Sequence, residues 1–244
     1  MNAAVRMYRI ARFLPVSFLL AAAASSAAAA GVATDLPRAP VQYGDVEAMQ
    51  RGAATFVNYC LGCHSAEYMR YGRLTEDAGL SGEQVREFLI HGDAGLGDGM
   101  RAAMDSEDGK KWFYQASPPD LTLSSRLRGP DWLYAYLRGF YRDPDRPGGW
   151  NNTIFSNAAM PNVLADLQGV QIRGADGDLE QLSAGRMSPA EFDALVGDLV
   201  TFMAYMGEPS REARYKTGYL VLAFLLTLLL PTYFLYREYW RDIH

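Results

Sequence analysis

The chain has 244 residues, with 23 Lys and Arg against 28 Asp and Glu, 49% hydrophobic residues and only two cysteines. That length exceeds a bare mini-domain and suits one domain with accessory segments. A net charge of −5 speaks against a nucleic-acid-binding surface and for partners that are basic.

Residues 1–30 carry Arg6, Arg9 and Arg12 and no acid, then the apolar run FLPVSFLLAAAA, then small residues ending Ala28-Ala29-Ala30. This is the layout of a secretory signal peptide with an A-x-A cleavage site. The competing reading is a first membrane-spanning helix. Cleavage removes three arginines and leaves 20 basic against 28 acidic side chains, a net charge near −8.

Asp45 is a suitable N-cap for a helix that runs to the cysteines. Met49, Gly52, Ala53 and Phe56 fall at helical spacing within it. Gly52 costs such a helix about 1 kcal/mol relative to alanine; a close helix crossing would explain it, and so would an ordinary tolerated glycine.

The stretch YCLGCHS follows, with Cys60, Cys63 and His64 in C-x-x-C-H spacing. A disulfide between cysteines three apart would close too small a loop to stabilise much. A thioredoxin-like pair wants an adjoining βαβ pattern, which is absent. A zinc site needs four ligands, and beyond this motif only His91 and His244 remain as imidazole donors. Attachment of one c-type haem uses all three residues. Two thiols a helical turn apart add to the vinyl groups on one porphyrin edge, and the adjoining imidazole binds iron.

Two weaker helices are expected at residues 82–91 and 130–141, and a small hairpin at 169–182 with its turn at Ala175-Asp176-Gly177. Other strand signals are poor. Long loops rich in Gly, Pro and Asp need something else at the domain centre, and a large buried cofactor would serve. The last soluble helix is well marked. Ser188 is its N-cap, Pro189 its first residue and Glu191 its capping-box partner. Phe192, Leu195, Val196, Leu199, Met203 and Met206 mark one apolar face, and Gly207 supplies the stop.

A histidine and a methionine together on haem iron favour electron transfer at a raised potential, whereas an open position suggests a peroxidase or sensor. Met160 lies in the loop WNNTIFSNAAMP, where Pro161 stiffens the adjoining backbone. Met203 and Met206 belong to the apolar face of the last helix. Met100 and Met104 remain open as ligands, and His91 is the rival as a second imidazole.

Residues 217–236 read TGYLVLAFLLTLLLPTYFLY, twenty residues without a charge. As a helix this spans ~30 Å, the hydrocarbon thickness of a bilayer. Arg211, Arg214 and Lys216 flank one end, Arg237 and Arg241 the other, with Tyr219, Tyr233, Tyr236, Tyr239 and Trp240 as interfacial aromatics. The charge flanks do not settle orientation. A cleaved signal would place the body outside the cytosol and the short tail within it.

Several segments carry a family resemblance. They are Leu36-Pro37-Arg38, Gln50-Arg51-Gly52, the run from Asn58 through Ser65, Ser117-Pro118-Pro119-Asp120-Leu121 with Arg126 after it, Met160-Pro161, and Glu208-Pro209 ahead of a basic stretch and one spanning helix. In this order they resemble the cytochrome c1 family, the haem subunits of ubiquinol–cytochrome c oxidoreductase (the cytochrome bc1 complex), over nearly the whole mature chain. The resemblance implies a mainly α, class I cytochrome c-like haem domain with long inserted loops and a small β-hairpin, plus one C-terminal transmembrane helix. It implies haem c on Cys60 and Cys63, with His64 and Met160 on the iron. Arg126 would pair with a haem propionate, and Pro118 and Pro119 would line the pocket.

The implied role is to take one electron from the Rieske iron–sulfur protein and pass it to a cytochrome c, with no substrate transformed. The anchor would pack against cytochrome b among membrane lipid, in a dimeric complex of the bacterial inner membrane, with the haem domain periplasmic. The expected layout is a signal peptide at 1–30, the haem domain at 31–210, the anchor at 211–239 and a cytoplasmic tail at 240–244. Some relatives brace the methionine loop with an extra cysteine pair; this chain has none, which leaves packing and Pro161. Glu76, Asp77, Glu83, Glu87, Asp105, Glu107 and Asp108 are candidates for an acidic docking surface. The alternatives are a membrane-tethered shuttle to an oxidase and a haem sensor or peroxidase with an open sixth position.

Overall fold

The computed structural model describes residues 36–114 and 116–242; the signal segment expected at residues 1–30 lies outside them. Helix α1, Val46–Tyr59, starts where Asp45 accepts a hydrogen bond from the Ala48 amide at 3.0 Å. It buries Met49, Gly52, Ala53 and Phe56 against helix α8, Pro189–Gly207. Ser188 and Glu191 form the expected capping box at the start of α8, with proline at its first turn.

Gly52 sits at the crossing. A Cβ placed there would lie 2.1 Å from the Asp198 carbonyl oxygen and 2.8 Å from Phe202 Cβ, so only glycine lets the two backbones approach this closely. Beside it, Arg51 makes a two-pronged ion pair with Asp198, at 2.6 and 3.1 Å. Phe56 and Phe202 meet with ring centroids 5.6 Å apart.

Helix α8 is more deeply set than a one-faced amphipathic helix: every residue from Val196 to Ala204 is buried. Its second side is covered by the N-terminal strap, with Pro40 against Gly197 and the Gln42 amide donating to Thr201 Oγ1 at 3.1 Å. The two polar residues in this stretch are therefore satisfied, Asp198 by Arg51 and Thr201 by Gln42 and the Gly197 carbonyl.

Shorter helices ring this pair: α2 (Arg73–Asp77), α3 (Gly82–Phe88), α4 (Ser106–Trp112), α5 (Ser124–Arg128), α6 (Pro130–Arg138) and α7 (Ala165–Gln168). Helix α6 stops at Gly139, three residues earlier than its apolar pattern predicts, because Phe140–Arg142 turns into a strand. An arginine fork holds α6 on α8, Arg138 to Asp193 at 2.6 and 3.0 Å.

The hairpin forms as expected, β5 (Gly169–Arg173) antiparallel to β6 (Leu179–Ala184), with Gly177 at a φ of 96° in its turn. It does not stand alone. Strands β3 (Phe140–Arg142) and β4 (Trp150–Asn152) extend it into a four-stranded sheet in the order β4-β3-β5-β6. A further pair, β1 (Ala66–Arg70) and β2 (Gly99–Met100), follows the cysteine motif. The chain ends in α9, Arg211–Tyr239, whose most apolar stretch has a mean hydropathy of 2.0 and no buried residue.

The crossing yields a stability prediction. Gly52→Ala adds helix propensity, yet the overlap with the α8 carbonyl should cost about 1–3 kcal/mol or more net. Thermal denaturation checks this against Gly97→Ala, whose added Cβ meets no atom within 4 Å.

Candidate functional site

Helix α1 delivers the cysteine motif into a tight turn. The Cys60 amide donates to Phe56 O at 2.8 Å, and the Cys63 and His64 amides both donate to Cys60 O at 3.1 and 2.8 Å. The two thiols are free and half-buried. Burial pushes the Cys60 thiol up to about 12, so it is not the low-pKa thiolate that dithiol exchange requires.

His64 Nδ1 lies 2.8 Å from the Pro119 carbonyl oxygen. That oxygen can only accept, so Nδ1 carries the proton and Nε2 keeps its lone pair free. Burial pushes the imidazole below its ordinary range, with the Pro119 bond partly opposing. The outcome is a neutral, oriented imidazole, the form that binds a metal.

The segment after Ser117 is fixed to the motif. The Leu121 amide donates to Ser65 O at 2.8 Å, and Asp120 accepts from the Glu67 amide at 2.8 Å. Thr122, 2% exposed, lies beneath β1. These bonds place the Pro119 carbonyl on His64. Pro118 packs on α4, where a Cβ on Gly109 would come within 2.6 Å of its ring.

Met160 is held by a different set of residues. The Tyr136 hydroxyl on α6 donates to its sulfur at 3.6 Å. Tyr136 stacks on Trp132 at 4.9 Å and meets the edge of Phe140 at 5.0 Å. Burial pushes its phenol up to about 12, so it stays a donor throughout the physiological range.

The expectation that packing and Pro161 alone stiffen this loop is incomplete. Buried Asn152 accepts the Ile154 and Phe155 amides at 2.9 and 3.2 Å and donates to Tyr136 O at 2.8 Å. Asn151 accepts the Asn152 and Asn157 amides at 2.9 and 2.8 Å and donates to Asp143. Beyond the methionine, Asn162 and Gln168 continue the brace to the Arg138 carbonyl.

Not every expected residue joins these groups. Arg126 pairs with Glu208 at 2.7 Å. Met100, with no exposed surface, is core. His91 is exposed and lines a cleft of about 800 Å³ with Asn58, Arg101 and the two residues between the cysteines, Leu61 and Gly62. Of the expected acidic surface, Glu76 and Asp77 pair with Arg73, Glu107 with Lys110 and Asp108 with Lys111. Asp105 caps α4. Glu83 and Glu87 form no ion pair among the described residues.

Sequence reasoning missed Tyr136, Asn151, Asn152 and Arg146. A Trp132–Tyr136 pair four apart on the predicted helix was the available signal for the first. Arg146 lines a cavity with Met160, Trp150 and Tyr114; its Nη2 donates to Asn157 O at 3.3 Å, and its buried Nε has no partner.

The donor set fits a c-type haem. Two thiols sit a turn apart, an imidazole presents a free Nε2, a thioether lies among aromatic rings, and an unsatisfied cationic N–H lies beside it. Tyr136→Phe removes only the hydroxyl and should lower stability by about 1 kcal/mol. Because the folded phenol titrates above an unfolded one, stability should fall as pH rises from about 10 to 12. Denaturation across that range should show a shallower fall in the variant; an identical profile would exclude the buried donor.

A family model described as the cytochrome C1 family matches residues 38–243. A protein of Nitrosomonas europaea named ammonia monooxygenase gamma subunit is 46% identical over 237 residues, covering 97% of this chain and 100% of its own. The cytochrome c1 of Allochromatium vinosum is 41% identical over 248 residues, 96% of this chain and 99% of its own. A mitochondrial cytochrome c1 haem protein of Kluyveromyces lactis is 25% identical over 228 residues, 84% of this chain and 74% of its own.

Proposed function

The chain belongs to the cytochrome c1 family, and from that premise we propose how its own residues carry an electron through the bc1 complex. It is a haem electron-transfer subunit of that oxidoreductase. Cys60 and Cys63 would hold haem c through two thioethers, and His64 Nε2 and Met160 Sδ would bind its iron. The observation that carries this assignment is the His64–Pro119 hydrogen bond, which leaves a neutral imidazole with one free nitrogen directly after the two free thiols.

Once attached, the haem supplies a one-electron couple; binding, orientation and electrostatics come from the protein. Pro119 fixes the tautomer and plane of His64. Tyr136 and the asparagine brace hold Met160 still, so a change of charge at the iron meets little reorganisation. Arg126, whose Nη1 holds Glu208, would offer its remaining N–H groups to a propionate, and Pro118 and Pro119 would line the haem pocket. A thioether opposite an imidazole raises the potential, which suits an acceptor of electrons from the Rieske protein and a donor to a cytochrome c.

Residues 1–30 are a cleaved signal, 31–210 form the periplasmic haem domain, 211–239 span the bacterial inner membrane beside cytochrome b, and 240–244 form a cytoplasmic tail. The complex is dimeric. Support for the anchor is α9 itself, 29 residues long and fully exposed along its apolar stretch; an uncovered surface of that kind needs lipid or partner helices.

The test is ligand access and company. The reduced parent chain should not bind carbon monoxide, and Met160→Leu should bind about one equivalent at lowered potential. Carbon monoxide binding by the parent would sink the sixth-ligand assignment. Solubilised membranes should yield the chain with cytochrome b and a Rieske protein. Elution alone, or with the subunits of a membrane oxygenase, would overturn the bc1 placement.

A further inference from the structure

We propose that helix α5 makes a second membrane contact, with Leu123 and Leu127 seated in the headgroup layer of a bilayer and Arg128 on lipid phosphate. The inference rests on the reading of α9 as a membrane span. Leu127 is 79% exposed and Leu123, the residue ahead of the helix, 52%. Four apart, they share one side of the helical turn. Ser125 on the other side is buried, and its hydroxyl donates to the Met203 carbonyl at 2.8 Å. Tyr68 lies alongside on β1, 78% exposed, with its amide donating to Thr122 Oγ1 at 3.4 Å. Packing among the described residues leaves all three side chains outside the core.

The place of α5 in the chain says what covers them. A Cβ on Gly207, the last residue of α8, would meet Ser125 Oγ at 2.5 Å and Arg126 Cγ at 3.0 Å. Arg126 donates to Glu208 at 2.7 Å, and the other Glu208 oxygen holds Arg214 on α9 at 2.5 Å. Helix α5 is thus fastened to the few residues through which the domain becomes the anchor. From Arg211, where α9 begins, to Thr217, where its charge-free run begins, the rise is ~9 Å. A headgroup layer is about 5–8 Å deep on each side of the hydrocarbon. The residues that tether α5 therefore stand at the outer edge of that layer, or within it where α9 tilts.

Charge favours lipid over a protein partner. The chain carries a net −5, yet residues 208–216 hold three basic side chains and two acidic ones. Arg126 and Arg128 add two cations from α5. Two acids that flank α5 in contact or in sequence are spent, Glu208 on Arg126 and Arg214, and Asp120 on the Glu67 and Thr122 amides. Arg128 forms no ion pair among the described residues, and its guanidinium lies over the Trp132 ring at 5.1 Å. Leucine beside an unpaired arginine is the makeup of an interfacial contact: the apolar groups leave water and the guanidinium meets phosphate. Together with α9 it gives the domain two points on the membrane, which fixes the tilt that the packing of α9 leaves unset.

The experiment places the full, haem-loaded chain in lipid discs of equal parts phosphatidylglycerol and phosphatidylcholine. Thioether attachment consumes both native thiols, so a cysteine introduced at position 127 takes the only nitroxide label. Leu127 lies outside the core, so Leu127→Cys keeps the fold. Leu182→Cys on β6 and Leu226→Cys within α9, both at exposed positions, serve as the aqueous and lipid references. The label at 127 should lose most of its relaxation by an aqueous nickel chelate and gain relaxation by oxygen, as at 226. Arg128→Gln, or discs of phosphatidylcholine alone, should restore nickel access at 127.

Nickel access at 127 equal to that at 182, with 226 shielded, would overturn the contact and leave the anchor intact. Shielding from both nickel and oxygen would mean a cover of protein or haem, and would equally overturn it. Indifference both to Arg128→Gln and to lipid charge would remove the phosphate contact. Nickel access at 226 would take away the span itself, and this inference with it.

Discussion

The close crossing of α1 and α8 at Gly52 is the constraint on which the rest of the molecule depends. A Cβ there would overlap the Asp198 carbonyl oxygen at 2.1 Å. Absence of that carbon lets the first and last soluble helices touch backbone to backbone. The crossing then fixes what each helix carries at its far end. From α1 it is two turns to Cys60, Cys63 and His64. From α8 it is little more than one turn to the Met203 carbonyl, which accepts from buried Ser125 at 2.8 Å and seats α5 with Arg126. The Arg51–Asp198 pair adds orientation more than stability. One end of it is half exposed, and such pairs contribute about 0–1 kcal/mol.

On the opposite side of the site, order comes from polar groups and not from a covalent brace. The methionine loop has no cysteine pair, and Asn151 and Asn152 take that role with side chains that are 8% and 2% exposed. Each accepts backbone amides that would otherwise be unsatisfied inside the domain. In a low-dielectric interior these bonds are individually stronger and expensive to break. A loop of this kind holds geometry without a redox-sensitive bond, and it lets Tyr136 meet the Met160 sulfur in a defined place.

Much of this was legible before any coordinates. Asp45 and Ser188 cap their helices as their sequence signatures indicate, and C-x-x-C-H names its own chemistry. Gly52 was compatible with a crossing and equally with an ordinary tolerated glycine, and it gave no partner. The strands were the principal omission: β2, β3 and β4 have two or three residues each, too few for alternation to show. The prolines were ambiguous in sequence because Pro119 acts through a backbone oxygen, to which side-chain chemistry gives no clue. Arg126 shows a different limit. A residue pattern implies a carboxylate partner but cannot say which, and here Glu208 is within reach.

Glu208 also bears on how the haem domain meets its anchor. One oxygen holds Arg126 at 2.7 Å and the other holds Arg214 on α9 at 2.5 Å. Arg211 lies over the Tyr43 ring at 3.7 Å, which ties the N-terminal strap to the same junction. No residue of α9 is buried, so no apolar packing within the chain sets the helix angle. Exposed ion pairs of this kind are weak and screened by salt. They suffice to mark where the helix leaves the domain, but not to hold it rigid through thermal motion. Packing among the described residues therefore leaves the angle of α9 to the domain unset. Glu208 is at once a partner of the haem-flanking arginine and of the anchor, so a shift at one is felt electrostatically at the other.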